Sequence, residues 1–350
     1  MPTRVLIGTA KGLFAATSGD RKSWSLDGPM LAGWEISATL ALPDGRLLVG
    51  TTHYAYGATI RVSDDSGQTW TQPHGQPRYA EGSPYKVNRI WELVRCPHTG
   101  RIYCGIDEAA LFTSDDRGET WQEVAGLTAV PSRPHWMPGG GGLCLHTIIL
   151  HPTDPQTIWV GISAVGLLRT RDGGKTWDNL NKTLPNLATG SPDEGSACCV
   201  HRVALDPVDA SAMYMQYHGG VLRSRDAGDT WAPIETGLPG NFGFPMVASP
   251  SGRLVIVPLE SDGRRYVNEG RLRVYASDDR GDTWAPSEAG LSDDPRYVAV
   301  LRSAMAADKK SETVAFGTTL GEVYVSPDAG RAWQNLPGQF QRVMHVSING

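Results

Sequence analysis

The chain has 350 residues, a formal net charge of −5, 41 glycines and 24 prolines. This length is enough for one large core, the mixed charges argue against nucleic-acid or anionic-membrane binding, and the glycine and proline content is typical of a turn-rich β protein. No apolar stretch is long enough to span a bilayer and MPTRVLIGTAKG does not resemble a secretion signal, so we expect a cytoplasmic protein whose five cysteines are mostly buried thiols.

Short strands follow one another from the N-terminus onward. The stretches RVLIGT, GLFAATSGD and RKSWSL predict the second, third and fourth strands of a unit that lacks its first strand. Each later interval repeats an apolar strand, a strand ending in Gly-Thr or Gly-Ile, a third strand, a turn and a short fourth strand. The C-terminal FQRVMHVSING is a first strand with nothing after it. Joined, the two ends complete one four-stranded unit.

The turn in each interval is an octet with a nearly constant sequence. Its Asp and Gly supply the side-chain hydrogen bonds and positive φ of a tight turn, and its closing tryptophans lie 49 to 56 residues apart, about one four-stranded blade. A shortened copy spans Ser18–Trp24. The six full copies are Ser63–Trp70, Ser114–Trp121, Thr170–Trp177, Ser224–Trp231, Ser277–Trp284 and Ser326–Trp333.

The octet resembles the Asp-box, S/T-x-D-x-G-x-T-W, also called the BNR repeat, of the sialidase-like β-propellers. The resemblance covers the whole chain and implies an all-β, single-domain protein over residues 1–350. Six intervals and the joined ends predict a seven-bladed β-propeller of four-stranded antiparallel blades, closed by pairing the terminal segments in one blade. In that family the boxes lie on the face away from the active site, so they indicate fold rather than catalysis.

Long connections on the opposite face are where function is expected. They span 71–88, 125–142 and 180–197, with an insertion at 258–270. The stretch MPGGGGLCLHT places four glycines before an inner strand, which lets the backbone approach a ligand closely. One interpretation is a lid that carries His135 and Trp136, and the alternative is a plain loop.

Aligning the blades places six residues at one equivalent inner position: Ser37, Trp91, His146, His201, Phe244 and Arg302. Glu108 and His218 align in the connections between second and third strands. Three imidazoles and a carboxylate suit a divalent metal such as zinc that activates water, so His146, His201, His218 and Glu108 are the predicted ligands. Glu108, His146 and His201 are then the predicted catalytic residues. The alternative is a set of hydrogen-bonded channel histidines beside ordered water.

A second group of candidates is basic and aromatic. Arg89, Arg202 and Arg302 are predicted to hold an anionic group, as three arginines do in the sialidases that the chain resembles. The resemblance is incomplete, because the six blades and the Arg-Ile-Pro motif of true sialidases are absent. The predicted contacts to the body of the substrate are Tyr85, Trp91 and Trp136.

A pair of acids is the basis of a glycosidase alternative. The xyloglucan-cleaving Asp-box enzymes place one catalytic Asp on each of two propellers, whereas this sequence contains one propeller. That chemistry would therefore need a second chain or a different acid pair, and solvated turn acids are the simpler interpretation. The candidates are Glu35, Glu81, Asp107, Glu108, Asp193, Glu194, Glu260 and Asp262.

The sequence therefore leaves three functions open. The first is a hydrolase or lyase that acts on a small polar or anionic substrate at the channel mouth, with or without a divalent metal. The second is a non-catalytic scaffold for a protein or peptide partner, like the Asp-box propeller that assists photosystem II assembly. The third is a glycoside hydrolase. Neither nucleic acid nor membrane is an expected partner.

Overall fold

The computed structural model describes residues 2–184 and 198–349, and strands dominate both ranges. One short helix, α1, spans Ala125–Thr128, and two 3-10 turns span Arg133–His135 and Asn268–Gly270. In these ranges no helix has the length and apolar character needed to cross a membrane. Residues 185–197 lie outside the described part, and they include most of the predicted loop at 180–197 together with Asp193 and Glu194.

The strands form seven antiparallel sheets, numbered as blades in chain order. Blades 1 to 3 contain β1 Thr3–Thr9, β2 Gly12–Ser18 and β3 Ser25–Met30; β4 Glu35–Ala41, β5 Leu47–His53 and β6 Gly57–Ser63; and β7 Arg89–Arg95, β8 Ile102–Asp107, β9 Leu111–Ser114 and β10 Gln122–Glu123. Blades 4 and 5 contain β11 Leu145–Leu150, β12 Ile158–Ile162, β13 Gly166–Thr170 and β14 Asp178–Asn179; and β15 Val200–Leu205, β16 Met213–Tyr217, β17 Gly220–Ser224 and β18 Ala232–Pro233. Blades 6 and 7 contain β19 Phe242–Ala248, β20 Leu254–Leu259, β21 Tyr275–Ser277 and β22 Ala285–Pro286; and β23 Val300–Ala307, β24 Val314–Thr318, β25 Val323–Ser326 and β26 Gln334–Asn335.

The last strand, β27 at Val343–Asn349, completes blade 1. It pairs with β1 in the register Arg4↔Asn349 to Gly8↔His345, and the sheet order is β27-β1-β2-β3. Blade 2 has three strands, and a bridge between Val62 and Thr71 stands where the fourth would lie. The predicted seven-bladed β-propeller, closed by pairing of the two termini, is confirmed.

The chain forms two compact units. One contains Met1–Ala32 with His201–Gly350, and the other contains Gly33–Val200. The core of the first includes Val5, Val257 and Phe316, and that of the second is built around β7, β8 and β12. The single-domain organisation stays a prediction. All five cysteines are free thiols and four are buried, as expected.

The Asp-box turns are held by one carboxylate each. In the first box, Asp65 accepts hydrogen bonds from the Ser63 hydroxyl at 2.7 Å and from the Thr69 N–H and hydroxyl at 2.9 and 2.6 Å. Ser66 and Gly67 have φ values of 61° and 99°, so the turn needs two successive residues in the left-handed region. These hydrogen bonds lower the pKa of Asp65 to about 2.

The shortened box at the N-terminus forms the same kind of turn. The Ser18 hydroxyl donates to Asp20 at 3.0 Å, and the N–H groups of Lys22 and Ser23 donate to the same carboxylate oxygen at 2.8 and 2.7 Å. These hydrogen bonds lower the pKa of Asp20 to about 2. The missing glycine is replaced by Arg21, whose φ is 60°.

The innermost strands carry β-bulges at the aligned inner position. Ser37 in blade 2, Trp91 in blade 3 and His146 in blade 4 are each the extra residue of a bulge. The second strands place Gly50, Gly105 and Gly161 opposite these bulges, where a Cβ atom would meet Ile90, Leu145 and Val200 of the next inner strand. A bulge re-aims the side chain of the strand that contains it. The recurrent Gly-Thr and Gly-Ile pairs therefore mark positions where neighbouring blades approach closely.

Replacing one box carboxylate tests its structural role. In the fifth box, hydrogen bonds from Thr283 lower the pKa of Asp279 to about 2, against about 3.9 in an unfolded chain. Its contribution to stability is therefore complete above about pH 4 and is lost as the pH falls toward 2. We expect Asp279→Asn to lower the free energy of unfolding at pH 7 by about 1 kcal/mol, as loss of a helix cap does, and to flatten the acid dependence.

Urea unfolding between pH 2 and pH 7 measures both effects. The matched control is Asp293→Asn, which alters an exposed loop acid in the same unit and should leave the curve unchanged. If the unfolding free energy of Asp279→Asn falls between pH 4 and pH 2 as steeply as that of the parent, the role assigned to this carboxylate is wrong.

Candidate functional site

The polar residues at the inner position make the same contact in three blades. The Ser37 hydroxyl donates to the Ile90 carbonyl at 2.6 Å, His146 Nε2 to the Val200 carbonyl at 2.9 Å, and His201 Nδ1 to the Gly243 carbonyl at 2.6 Å. In each case the acceptor precedes the equivalent position of the next inner strand. These side chains join neighbouring blades and satisfy a carbonyl beside a bulge.

His146 has both ring nitrogens engaged. Because the Val200 carbonyl can only accept, Nε2 carries the proton, and Nδ1 accepts from the Thr147 hydroxyl at 3.0 Å. The side chain is fully buried. His146 therefore matches the hydrogen-bonded alternative, and in this arrangement it presents no nitrogen to a metal or substrate.

His201 and His218 lie together in the first unit. Their ring centroids are 5.6 Å apart, and a ring nitrogen of each lies within 4.8 Å of the other. Phe242 packs against both rings. Burial, and then the positive charge of Arg302, lowers the pKa of His201 to about 3, so this imidazole is neutral at physiological pH.

Among the described residues of this unit, His201 and His218 lie close enough together to supply two metal ligands. His218 is half-exposed, and its Nε2 lies 3.8 Å from Asp262 Oδ2, while His201 keeps Nε2 for a ligand because Nδ1 holds the proton. The charges of Arg302 and Arg265 add to the effect of burial on the pKa of His201, and Arg265 is itself paired with Asp262. The metal site predicted from sequence stays a prediction.

The three predicted arginines each have their own neighbours among the described residues. The guanidinium carbon of Arg302 lies 5.7 Å from the Phe244 ring centre. Burial, and then the charge of Arg202, lowers the pKa of His345 to about 3. Arg89, in the other unit, forms an ion pair with Glu35 at 2.5 Å. Its guanidinium carbon lies 5.1 Å from the Trp91 ring centre.

Asp107 is a carboxyl group of the second unit whose pKa is raised. It ends β8 directly opposite Arg89 in the β7–β8 register. Burial, and then the neighbouring charge of Glu108, raises its pKa to about 6, while the charge of Arg89 and the Leu143 N–H oppose the rise. Two acids, Glu35 and Asp107, therefore lie at one guanidinium. Both are among the eight candidate acids of the glycosidase alternative, but no sequence pattern distinguishes them from the other six.

The glycine-rich stretch covers this carboxyl group. Gly142 has a φ of 93°, and a Cβ atom there would lie 2.7 Å from Asp107 Oδ2. The Leu143 N–H donates to the Asp107 carboxylate, and the backbones of Cys144 and Asp107 form an isolated antiparallel β-bridge. The glycines of MPGGGG were expected to let the backbone approach a ligand. In the structure, the backbone at Gly142 approaches the carboxylate of Asp107.

Glu108 is positioned through its backbone. Its N–H donates to the Lys86 carbonyl at 3.0 Å, and its carbonyl accepts a short hydrogen bond from the Tyr79 hydroxyl. Asn88 Nδ2 lies 3.4 Å from the Glu108 carboxylate. Glu108 thus lies beside Asp107, half-buried, in the connection predicted for it.

Trp34, which directly precedes Glu35 in the chain, belongs to an aromatic cluster of Trp34, His53, Tyr54 and Tyr56. The His53 ring lies 5.0 Å from that of Trp34 and 4.9 Å from that of Tyr56. Arg61 packs over Trp34 at 4.5 Å. Tyr54 and Tyr56 are 98% and 72% exposed, so their ring faces are available to a ligand.

Tyr85 and Trp136, which the sequence predicts to contact a substrate, share one neighbour within the protein. Both pack on the Arg133 guanidinium, with its carbon 4.1 Å and 4.8 Å from the two ring centres. Trp136 is 5% exposed and His135 is exposed. The sequence analysis missed Arg133 because a lone arginine in a loop carries no pattern.

Comparison with known proteins agrees with the repeat and the fold. The BNR/Asp-box repeat model matches residues 112–123, which contain the second box, and six boxes alternate with seven sheets. The chain is a β-propeller that carries Asp-box repeats. A structure titled "YCF48 bound to D1 peptide" superposes on this Asp-box propeller with a TM-score of 0.57, 15% identity and coverage of 99% and 96% of the two chains. That likeness shows the fold alone.

Two curated relatives of this Asp-box propeller are named xyloglucanases. A xyloglucanase from a Paenibacillus species is 25% identical over 245 residues, which is 61% of this chain and 23% of that protein. Xyloglucanase Xgh74A from Acetivibrio thermocellus is 27% identical over 247 residues, which is 61% of this chain and 28% of that protein. The chain thus spans about a quarter of the length of these relatives.

The buried histidines predict a pH dependence of stability. His201 and His345 have pKa values near 3 when folded, against about 6.5 unfolded, so the unfolded chain binds more protons between these values. Their contribution to stability is complete above about pH 6.5 and is lost as the pH falls toward 3, at up to about 1.4 kcal/mol per pH unit for each histidine.

We expect His345→Gln to reduce the slope of the unfolding free energy between pH 6 and pH 4.5. That window lies above the range in which the box carboxylates titrate. Chemical denaturation measures the slope, and His74→Gln, at an exposed histidine, should leave it as in the parent. An unchanged slope in His345→Gln would show that His345 does not stay neutral on folding.

Proposed function

We propose that this protein is a glycoside hydrolase in which Asp107 is the general acid. The observation that carries the proposal is the raised pKa of Asp107, about 6, beside an ion-paired second carboxylate. Glycoside hydrolysis uses one carboxyl group that is protonated near neutral pH and one that is ionised. The similarity to xyloglucanases supports the same class of reaction.

Glu35 is the proposed second carboxylate. It forms an ion pair with Arg89, and Arg89 also faces Asp107 across the β7–β8 pair. Asp107 would protonate the glycosidic oxygen, and Glu35 would act as nucleophile or would activate water. Because both acids belong to one propeller, this arrangement needs no second propeller. Glu108, adjacent to Asp107, would help to keep Asp107 protonated through its charge.

The aromatic cluster supports an oligosaccharide as the substrate. Trp34 directly precedes Glu35 in the chain, and its ring contacts that of His53, which in turn contacts Tyr56. Tyr54 and Tyr56 are largely exposed. Flat aromatic faces with a polar edge suit the apolar faces of sugar rings. We propose neutral β-glucan oligosaccharides, including those from xyloglucan, as the first compounds to test.

Loss of the proposed acid should remove activity. We expect Asp107→Asn to lower kcat by about 100-fold or more, because an amide cannot donate the proton. A general acid must be protonated to act, so activity of the parent should fall as the pH rises above about 6. Reducing-end release from a panel of oligosaccharides over pH 4 to 8 measures both effects.

The matched control is Glu81→Gln, which alters an exposed acid in a neighbouring loop. It should keep parental activity and the same pH profile. Parental activity in Asp107→Asn, or no hydrolysis of any saccharide by the parent, would reject the proposal. The anomer released, followed by NMR, would assign Glu35 as nucleophile or base.

The divalent metal that the sequence left open is a separate proposal. The pair to test is His201 and His218, because His146 has both ring nitrogens engaged. Metal analysis of the purified protein, repeated on folded His201→Ala/His218→Ala, would support it if about one equivalent is lost. Metal-free parent with full activity would reject it.

A peptide-binding scaffold is the second candidate function. The observation in its favour is the exposure of Tyr54 and Tyr56 in a cluster whose Trp34 ring packs against Arg61, since tyrosines and arginines are enriched in protein interfaces. Binding of a peptide partner that Tyr54→Ala/Tyr56→Ala abolishes, with no hydrolysis by the parent, would favour it over the enzyme.

A further inference from the structure

The outer edge of blade 2 is less covered than that of blade 1. The third strands of these blades, β2 and β6, each have seven residues and end at the serine of a box, Ser18 and Ser63. In blade 1 the six-residue strand β3 pairs with β2 from Leu13 to Thr17. In blade 2 the described residues form no fourth strand, and β6 is the last strand of its sheet.

Two residues of β6 have substitute partners on this edge. The N–H and the carbonyl of Val62 are each hydrogen-bonded to Thr71 at 2.9 Å. The Ile60 N–H donates to Gln76 Oε1 at 2.7 Å, and Gln76 Nε2 donates to the Ile60 carbonyl at 3.2 Å. A side-chain amide therefore takes the place of a strand residue. Because alternate residues of a strand direct both backbone groups to the same side, the next outward residue is Ala58.

Ala58 has no such substitute. It occupies the position that Leu13 has in blade 1, where Leu13 pairs with Met30 of the fourth strand. Within residues 2–184 and 198–349, no group hydrogen-bonds to the N–H or the carbonyl of Ala58 across this edge. Backbone groups that are unpaired at the edge of a sheet are a template for pairing with another chain.

A cavity of about 490 Å³ lies along this part of the edge. Its walls include both Ala58 and Gln76, so it lies on the side to which β6 directs its unpaired backbone groups. The opposite wall comes from the long connection at 71–88. The cavity is also lined by three tyrosines, Tyr56, Tyr79 and Tyr85. Its volume is within the range of sites that bind small ligands.

The charged walls of this cavity are basic. Arg78 and Lys86 line it and are exposed, and none of the described residues that line it is acidic. A concave surface that carries one sign of charge attracts ligands of the opposite sign. The walls therefore favour a ligand with negative groups.

An amino-acid residue fits the open edge better than the amide of an N-acetylated sugar. A residue of an extended strand presents its N–H and its carbonyl on the same side, so one residue can bond to both backbone groups of Ala58. A secondary amide, such as an acetamido group, has its N–H and its carbonyl pointing in opposite directions and can bond to one of them. The geometry of the edge thus favours a peptide.

We propose that this cavity binds an extended acidic peptide, one residue of which pairs with Ala58 as an added strand. Main-chain hydrogen bonds contribute affinity when a peptide adds to a sheet edge, and side-chain contacts contribute specificity. Arg78 and Lys86 attract the acidic side chains, and the tyrosine rings supply apolar contact area. The inference concerns a protein partner and does not depend on the proposed glycoside hydrolase.

A display library of random heptapeptides, selected on the parent protein at low salt, tests the class of partner. We expect the selected sequences to be enriched in Asp and Glu. A fluorescein-labelled synthetic copy should bind less tightly as salt is added, which fluorescence anisotropy measures. Methylating its backbone nitrogens one at a time should weaken binding about tenfold at the residue that pairs with Ala58, because that nitrogen can no longer donate.

Variants of the protein locate the site. Ala58→Pro removes the N–H that faces the cavity, and an edge strand tolerates proline where the N–H points away from the sheet. We expect it to weaken binding about tenfold, whereas Ala58→Ser keeps the N–H and should bind like the parent. Arg78→Gln/Lys86→Gln should weaken binding about tenfold at low salt and less at high salt. Thermal melting checks folding, and this exposed double variant decides the outcome where Ala58→Pro does not fold.

Three results would overturn the proposal: no peptide is selected, the selected peptides have no excess of acidic residues, or neither Ala58→Pro nor the double variant weakens binding. Binding of a xyloglucan oligosaccharide that Ala58→Pro weakens, with no peptide selected, would assign the cavity to the saccharide. A dimer in sedimentation that Ala58→Pro dissociates would assign the edge to a second copy of the chain.

Hydrolysis assays remain separate from this test. Peptide binding by a parent protein that hydrolyses no saccharide rejects the enzyme alone. Hydrolysis without peptide binding rejects the peptide site alone.

Discussion

Neighbouring innermost strands pack so closely that the second strand of a blade has no room for a side chain where the next blade meets it. At Gly50, Gly105 and Gly161 a Cβ atom would overlap or crowd the inner strand of the following blade. The inner strand bulges opposite each of these glycines, and the bulged residue turns its side chain toward that neighbour. Close packing of blades therefore dictates which residue types the inner position accepts.

This constraint explains why two aligned histidines need not form a catalytic pair. A carbonyl beside a bulge loses its partner in the ladder, and a buried carbonyl without a partner is costly. Ser37, His146 and His201 each donate a hydrogen bond to such a carbonyl in the next blade. The same demand for a donor is met by a hydroxyl in one blade and by imidazoles in two others, which is a structural reason for their alignment.

The groups that the scaffold does not use for its own hydrogen bonds lie in the connections of the second unit. Because Gly142 has no Cβ, the backbone packs directly on the Asp107 carboxyl group. The resulting burial raises the pKa of Asp107. Arg133 is held between two rings with donors to spare. A carboxyl group with a pKa of about 6, and a buried cation for which the described residues supply no carboxylate partner, suit chemistry better than stability.

The repeat alone determined the fold class, the number of blades, the closure by β27 and the turn at every Asp-box, because each depends on residues close in the chain: an octet, a glycine pair, a strand without its partner. It also placed Glu108 in the connection between the second and third strands of its blade, where the structure has it. Tertiary structure decided which of the candidate residues act together. Whether His146 keeps a free nitrogen depends on the Val200 carbonyl, 54 residues later in the chain. The pKa of Asp107 depends on a loop 35 residues away that covers the carboxyl group. Arg133 is distinguished by the rings that two loops bring against it. Burial and hydrogen bonding between distant segments set these properties, and no local pattern encodes them.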